Sequence, residues 1–114
     1  MEGNMRILSL KEIEDSCVYN IFFEYNKTFK YQDYWNEKCY YISMEDMLLL
    51  EPYMDKVFIN FDYYGPNKVE ISDWNKVKEL YLAENTDEDG FFEFIDKWLE
   101  NRPAGNSYFW ILGP

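Results

Sequence analysis

Carboxylates, phenols and two thiols make up most of this chain's reactive chemistry. In 114 residues there are 22 Asp and Glu, 11 Tyr, 4 Trp and 2 Cys, but no histidine. Without histidine, the usual neutral-pH proton shuttle and the commonest metal ligand are both missing. A thiol nucleophile at Cys17 or Cys39 would lack its usual base. A zinc site built on the two thiols would need two further nitrogen or sulfur ligands. Neither cysteine is therefore assigned a chemical role. Cys17 reads as a small core residue. Paired carboxylates can do acid–base work unaided, but nothing in the spacing selects a pair from 22. No phosphate-binding glycine loop, dinucleotide fingerprint or nucleophile elbow is present. The expectation is a protein that is not an enzyme, with no catalytic residues, no metal site and no cofactor.

One acidic segment has the spacing of a cation ligand. In Asn85-Thr86-Asp87-Glu88-Asp89-Gly90-Phe91-Phe92-Glu93-Phe94-Ile95-Asp96, Asn85, Asp87 and Asp89 take positions one, three and five of a twelve-residue calcium loop. Gly90 takes position six, Glu93 nine and Asp96 twelve. The string resembles an EF-hand loop, with Asn at position one and the short Asp at position twelve as departures. The competing reading is an inter-helix turn whose acids favour the N-terminus of the next helix. A weak calcium-binding module thus stands as one alternative.

The acids also suggest recognition. From Glu84 to Glu100 there are seven acids and one base, Lys97. The apolar stripe Phe91, Phe94, Ile95, Trp98 and Leu99 must face inward. That turns Glu93 and Asp96 outward, beside Asp87 and Glu88 in the preceding loop. Such a face can steer a basic protein. Aromatic residues mixed with acids recur at Asp33, Tyr34, Trp35 and Glu37, and again at Asp62, Tyr63 and Tyr64. Tyrosine and tryptophan on loops bring large contact area and a polar tip to an interface at low entropic cost. These eleven residues are the expected partner-binding set.

The elements that must position them follow from periodicity and punctuation. Ser9, Glu12, Leu8 and Ile13 mark a short helix start ending near Ser16. Alternation from Cys17 to Tyr25 predicts a strand, and Lys38 to Ile42 a second that pairs with it. Ser43 and Asp46 form a capping pair, with Met44, Met47 and Leu48 on one side and Pro52 limiting the helix. Lys56 to Tyr64 reads as the clearest strand. A turn at Gly65–Lys68 then returns Val69–Ile71 as its hairpin partner. Ser72 caps a helix from Asp73 to about Glu84 with an inner stripe of Trp74, Val77, Leu80 and Tyr81. A second helix runs to about Asn101, and Ser107 to Leu112 forms a last strand. The expected fold is α+β: a single domain over residues 1–114, with a mainly antiparallel sheet of about five strands and helices packed on one face.

Bulk properties narrow the partner. The formal charge of −11 repels nucleic acid and favours a basic protein. No segment approaches a membrane span. The start MEGNMRILSLKEIED lacks a basic region followed by an apolar run, so a cytoplasmic location is expected. Small size, acidity, many Tyr and Trp and the lack of a catalytic signature make the chain similar, as a class, to the cytoplasmic immunity proteins that bacteria make against their own toxins. The resemblance implies an inhibitor that covers the active cleft of a basic, nuclease-like toxin. The other alternative is a DNA mimic or regulatory inhibitor that occupies a nucleic-acid-binding protein.

Overall fold

The computed structural model describes residues 5, 7–12, 18–23, 39–87 and 90–113. Asp33, Tyr34, Trp35 and Glu37 lie outside the described residues, as do Glu88 and Cys17.

Among the described residues four strands and three helices follow one another as β1 (Val18–Phe22), β2 (Tyr40–Ser43), α1 (Met44–Val57), β3 (Pro66–Glu70), α2 (Ile71–Glu84), α3 (Phe91–Leu99) and β4 (Tyr108–Leu112), after a 3-10 turn at Leu10–Glu12. The sheet is antiparallel throughout, in the order β2-β1-β4-β3. The α+β class is as expected, with four strands in place of five. Leu8 adds one isolated bridge to Tyr41 beyond β2.

Period-two alternation sorts the sheet into two faces. Tyr19, Ile21, Ile42, Val69, Phe109 and Ile111 share one face and join a single cluster with Met47, Leu50 and Met54 of α1, Trp74, Val77 and Tyr81 of α2, and Phe92, Ile95 and Trp98 of α3. Trp98 stands edge-on to Phe109 and stacks on Phe23 at 4.0 Å. Trp74 is ringed by Phe91, Phe92 and Phe109. Among the described residues its Nε1–H has no hydrogen-bond partner. The opposite face carries a smaller cluster of Val18, Cys39, Tyr41 and Leu112.

Several sequence signals act as read. Ser43 Oγ accepts from the Asp46 N–H at 3.1 Å and opens α1. The Ser9 N–H donates to the Glu12 carboxylate at 2.9 Å, half of a capping box. β1 pairs β2 with Tyr19 opposite Ile42. The inner stripe of α3 is buried at Phe91, Ile95, Trp98 and Leu99, with Phe92 added, while Phe94 lies at the edge against Tyr40.

Five expectations are corrected. The helix at Ser43 does not stop at Pro52 but runs on to Val57. Pro52 is exposed, so its missing N–H costs one bond to the Leu48 carbonyl. Burial of Leu50 and Met54 on either side holds the helix together. Lys56–Tyr64 is consequently not a strand. Lys56 and Val57 close α1, the Phe58 N–H bonds to the Met54 carbonyl, and residues 59–65 form turns. The misreading arose because apolar side chains occupy both parities of this run, so alternation carries no face information. Ile59 is 95 % exposed. Val69 therefore has no hairpin partner there, and β3 instead forms an edge strand along β4. Lastly, α2 starts at Ile71 without a side-chain cap, so Ser72 lies inside its first turn. Leu80, expected on the inner stripe of α2, is partly exposed.

Candidate functional site

The 58–65 connection is short of regular structure but well bonded. The Asp62 N–H donates to Asn67 Oδ1 at 2.8 Å, and Asp62 Oδ1 accepts from the Tyr64 N–H at 2.9 Å. Asn67 Nδ2 donates to the carbonyls of Asp62, Gly65 and Ile111. One amide thus ties the turn to β4. Space is tight on both sides. A Cβ at Gly65 would meet the Asp62 carboxylate, and one at Gly113 would meet the Tyr63 carbonyl. These contacts hold Asp62, Tyr63 and Tyr64 together but give them different tasks. Asp62 shapes the turn. Tyr64 is presented to solvent at 79 % exposure. Tyr63 points back to α1, where its hydroxyl donates to Asp55 Oδ1 at 2.8 Å.

Around Tyr63 the chain gathers a tyrosine–carboxylate surface. Its ring lies edge-on to Tyr19 of β1, with centroids 6.5 Å apart, and packs on Phe61 at 4.7 Å. Glu51 and Asp55 sit one turn apart on α1, about 5–6 Å between their Cβ atoms. Both phenols feel this negative neighbourhood. Burial first, then the hydrogen bond to Asp55 and the charges of Asp55 and Glu51, push the Tyr63 hydroxyl far above its usual range. Burial, followed by Tyr64 and Glu51, raises that of Tyr19.

Among the described residues no cation pairs with these carboxylates, Glu51 and Asp55. Lys56, the nearest lysine in sequence, holds its Nζ 5.7 Å from the Tyr53 ring centroid.

The acids expected to steer a partner from α3 are arranged otherwise. Asp87 caps the helix: its Oδ1 accepts from the Phe92 N–H and its Oδ2 from the Glu93 N–H, both at 3.1 Å. Gly90 makes this possible at φ 70°, a conformation that costs an L side chain. Asp96 pairs with Lys78 of α2 at 3.1 Å, and Glu93 with Lys97 at 3.2 Å. Glu84 accepts the Tyr53 hydroxyl at 2.6 Å, to which Asn85 also donates. This end of the molecule is largely satisfied by its own groups. Asp87 spends both oxygens on backbone N–H groups, as the helix-turn reading of 85–96 expects. Among the described residues no group of three or more carboxylates or thiols is placed to hold a metal ion.

No family model, curated protein or solved structure matches the chain. The site therefore rests on its own geometry. A concavity of about 520 Å³ opens beside the start of α2, lined in part by Glu70, Ser72, Arg102 and Asn106. Its guanidinium is already engaged, donating from Nε to the Asn106 carbonyl at 2.7 Å and from Nη1 to the Leu99 carbonyl at 2.9 Å.

Of the expected partner-binding residues, the structure brings together Asp62, Tyr63 and Tyr64. It sets Asp87, Glu93 and Asp96 apart from them on another element. Glu51 and Asp55 were missed. Their signal was legible: two acids four apart in a helix, with Met47, Leu48, Phe58 and Ile59 where a compensating lysine would stand.

Proposed function

We propose that this chain is an acidic protein-binding domain whose partner is a basic protein, and that it acts as an immunity protein neutralising a toxin in the cytoplasm of the cell that makes it. The observation that carries this reading is the pair Glu51 and Asp55, without an ion pair among the described residues, beside Tyr63 and the projecting Tyr64. Like charges four apart destabilise a helix by about 0.2–0.5 kcal/mol. A partner cation would turn that cost into affinity. The excess of negative charge over the whole chain would speed the encounter. No helix among the described residues is long and apolar enough to cross a membrane.

The test is capture of the partner by the tagged protein from its native lysate at low and high salt, followed by an assay of that partner's own activity. One stoichiometric basic protein, held at low salt and inhibited when bound, is the expected outcome. A captured partner whose activity is unchanged would reject inhibition.

A further inference from the structure

The surface at Glu51, Asp55, Tyr63 and Tyr64 has features that specify its occupant more closely than net charge does. This step rests on the protein-binding reading above. Three observations converge. First, the two carboxylates lie one helical turn apart and lack a cation among the described residues, while the acids of α3 have theirs. Asp55 spends one oxygen on the Tyr63 hydroxyl. Second, Tyr19 is only 4 % exposed, yet its hydroxyl has no hydrogen-bond partner among the described residues. Its ring meets Tyr63 edge-on, and Glu51 and Tyr64 lie within its electrostatic reach. The phenol oxygen is not sealed from solvent, so it can accept from a donor brought to the surface. Third, Tyr64 projects from a turn whose backbone is fixed by Asp62 and Asn67. It offers an aromatic face on a rigid support.

We infer that this surface receives an arginine side chain of the basic partner, with its guanidinium between the Glu51 and Asp55 carboxylates and against the Tyr64 ring. A guanidinium suits this set better than an ammonium. It is planar, so it stacks on an aromatic face while its edge donates to carboxylates. It carries five N–H donors in a fixed fork, enough for two carboxylates and a phenol oxygen. Lysine offers a compact charge that can satisfy the carboxylates but gains less from the ring. Two described lysines are engaged elsewhere, Lys56 over the Tyr53 ring and Lys78 with Asp96.

The probe is a capped Gly-Arg-Gly tripeptide, compared with its lysine and citrulline counterparts. It is titrated into the full chain at low ionic strength and followed through backbone amide resonances. The arginine peptide is expected to move residues 51–55 and 63–64 saturably. The lysine peptide should bind more weakly and citrulline, which has no charge, should not bind. E51Q/D55N should abolish the response. E51Q alone, which keeps the Tyr63–Asp55 bond, should weaken it by about threefold, and Tyr64→Ala should erase the preference for arginine over lysine. Equal shifts around Glu93 and Asp96, equal affinity for the arginine and lysine peptides, or an unchanged response in E51Q/D55N would overturn the inference. A captured basic partner that binds E51Q/D55N as tightly as the parent would overturn it too, while leaving the inhibitor reading intact. Conversely, peptide binding at residues 51–55 without any inhibited partner would support the arginine site and reject the inhibitor.

Discussion

Tyr63 joins a turn to a helix through one hydroxyl, and that bond can be weighed. Replacing Tyr63 with Phe removes the donation to Asp55 while keeping the ring between Tyr19 and Phe61. We expect a loss of about 0.5–1.5 kcal/mol at neutral pH, read from denaturant unfolding. The pH dependence has a definite sign. Burial and the neighbouring carboxylates raise the folded-state pKa of Tyr63 above its unfolded value near 10. The fold therefore favours the protonated phenol, and the stability this gives is present below pH 10 and lost as pH rises beyond it. Between pH 9 and pH 11 the parent protein should lose stability more steeply than Tyr63→Phe. Parallel slopes would show that this phenol does not govern the alkaline limb. Glu51 makes an opposite prediction. Glu51→Gln removes one of two like charges and should stabilise the protein by a few tenths of a kcal/mol, measurable as a raised thermal midpoint, while weakening partner binding. These residue roles were only partly legible in the sequence. The mixture of acids and aromatics at 62–64 flagged the turn. Which tyrosine faces inward depends on a helix end that the sequence pattern placed wrongly.

At the scale of elements, caps and amphipathic stripes were easiest to read, because they depend on residues three or four apart. Ser43 with Asp46 opens α1, and the stripe of α3 lies in the core. The run 56–64 was not legible. Its apolar residues are spread over both parities, and the choice between helix end and strand is made by tertiary burial of Met54, Val57 and Phe58. Pro52 misled for a related reason: it sits on the solvent side of a helix whose other side is core. Pro52→Ala should restore the hydrogen bond to the Leu48 carbonyl. A proline in a helix interior costs about 3 kcal/mol relative to alanine, and part of that gain is returned through the looser unfolded chain. A net stabilisation of about 1–2 kcal/mol in chemical denaturation is expected, and a destabilisation would mean that α1 needs the proline. For α3, Asp87→Ala removes both oxygens that cap Phe92 and Glu93. The expected cost is about 1–2 kcal/mol, with amide exchange rising first at Phe92 and Glu93. Gly90→Ala should cost about 1 kcal/mol from its left-handed backbone alone, since nothing lies within 4 Å of a Cβ placed there.

Over the whole molecule, charge is distributed unevenly in kind as well as amount. On α2 and α3, Lys76, Lys78 and Lys97 neutralise Asp73, Asp96 and Glu93. These exposed pairs contribute little stability, but they remove charge that could otherwise meet a partner. On α1, Glu51 and Asp55 form no ion pair among the described residues and lie beside aromatic groups that can bury area against another protein. Net charge and composition were legible in the sequence and pointed to recognition by a basic partner. The position of the proposed docking face was not, because it depends on which acids find lysines across the α2–α3 contact. Charge at Glu51 and Asp55 should accelerate association more than it slows dissociation. The most direct test retains the partner on tagged protein at low salt and compares the parent chain, E51Q/D55N and E93Q/D96N. The account predicts one stoichiometric basic partner held by the parent and by E93Q/D96N and lost from E51Q/D55N. A partner held by E51Q/D55N but lost from E93Q/D96N would contradict it.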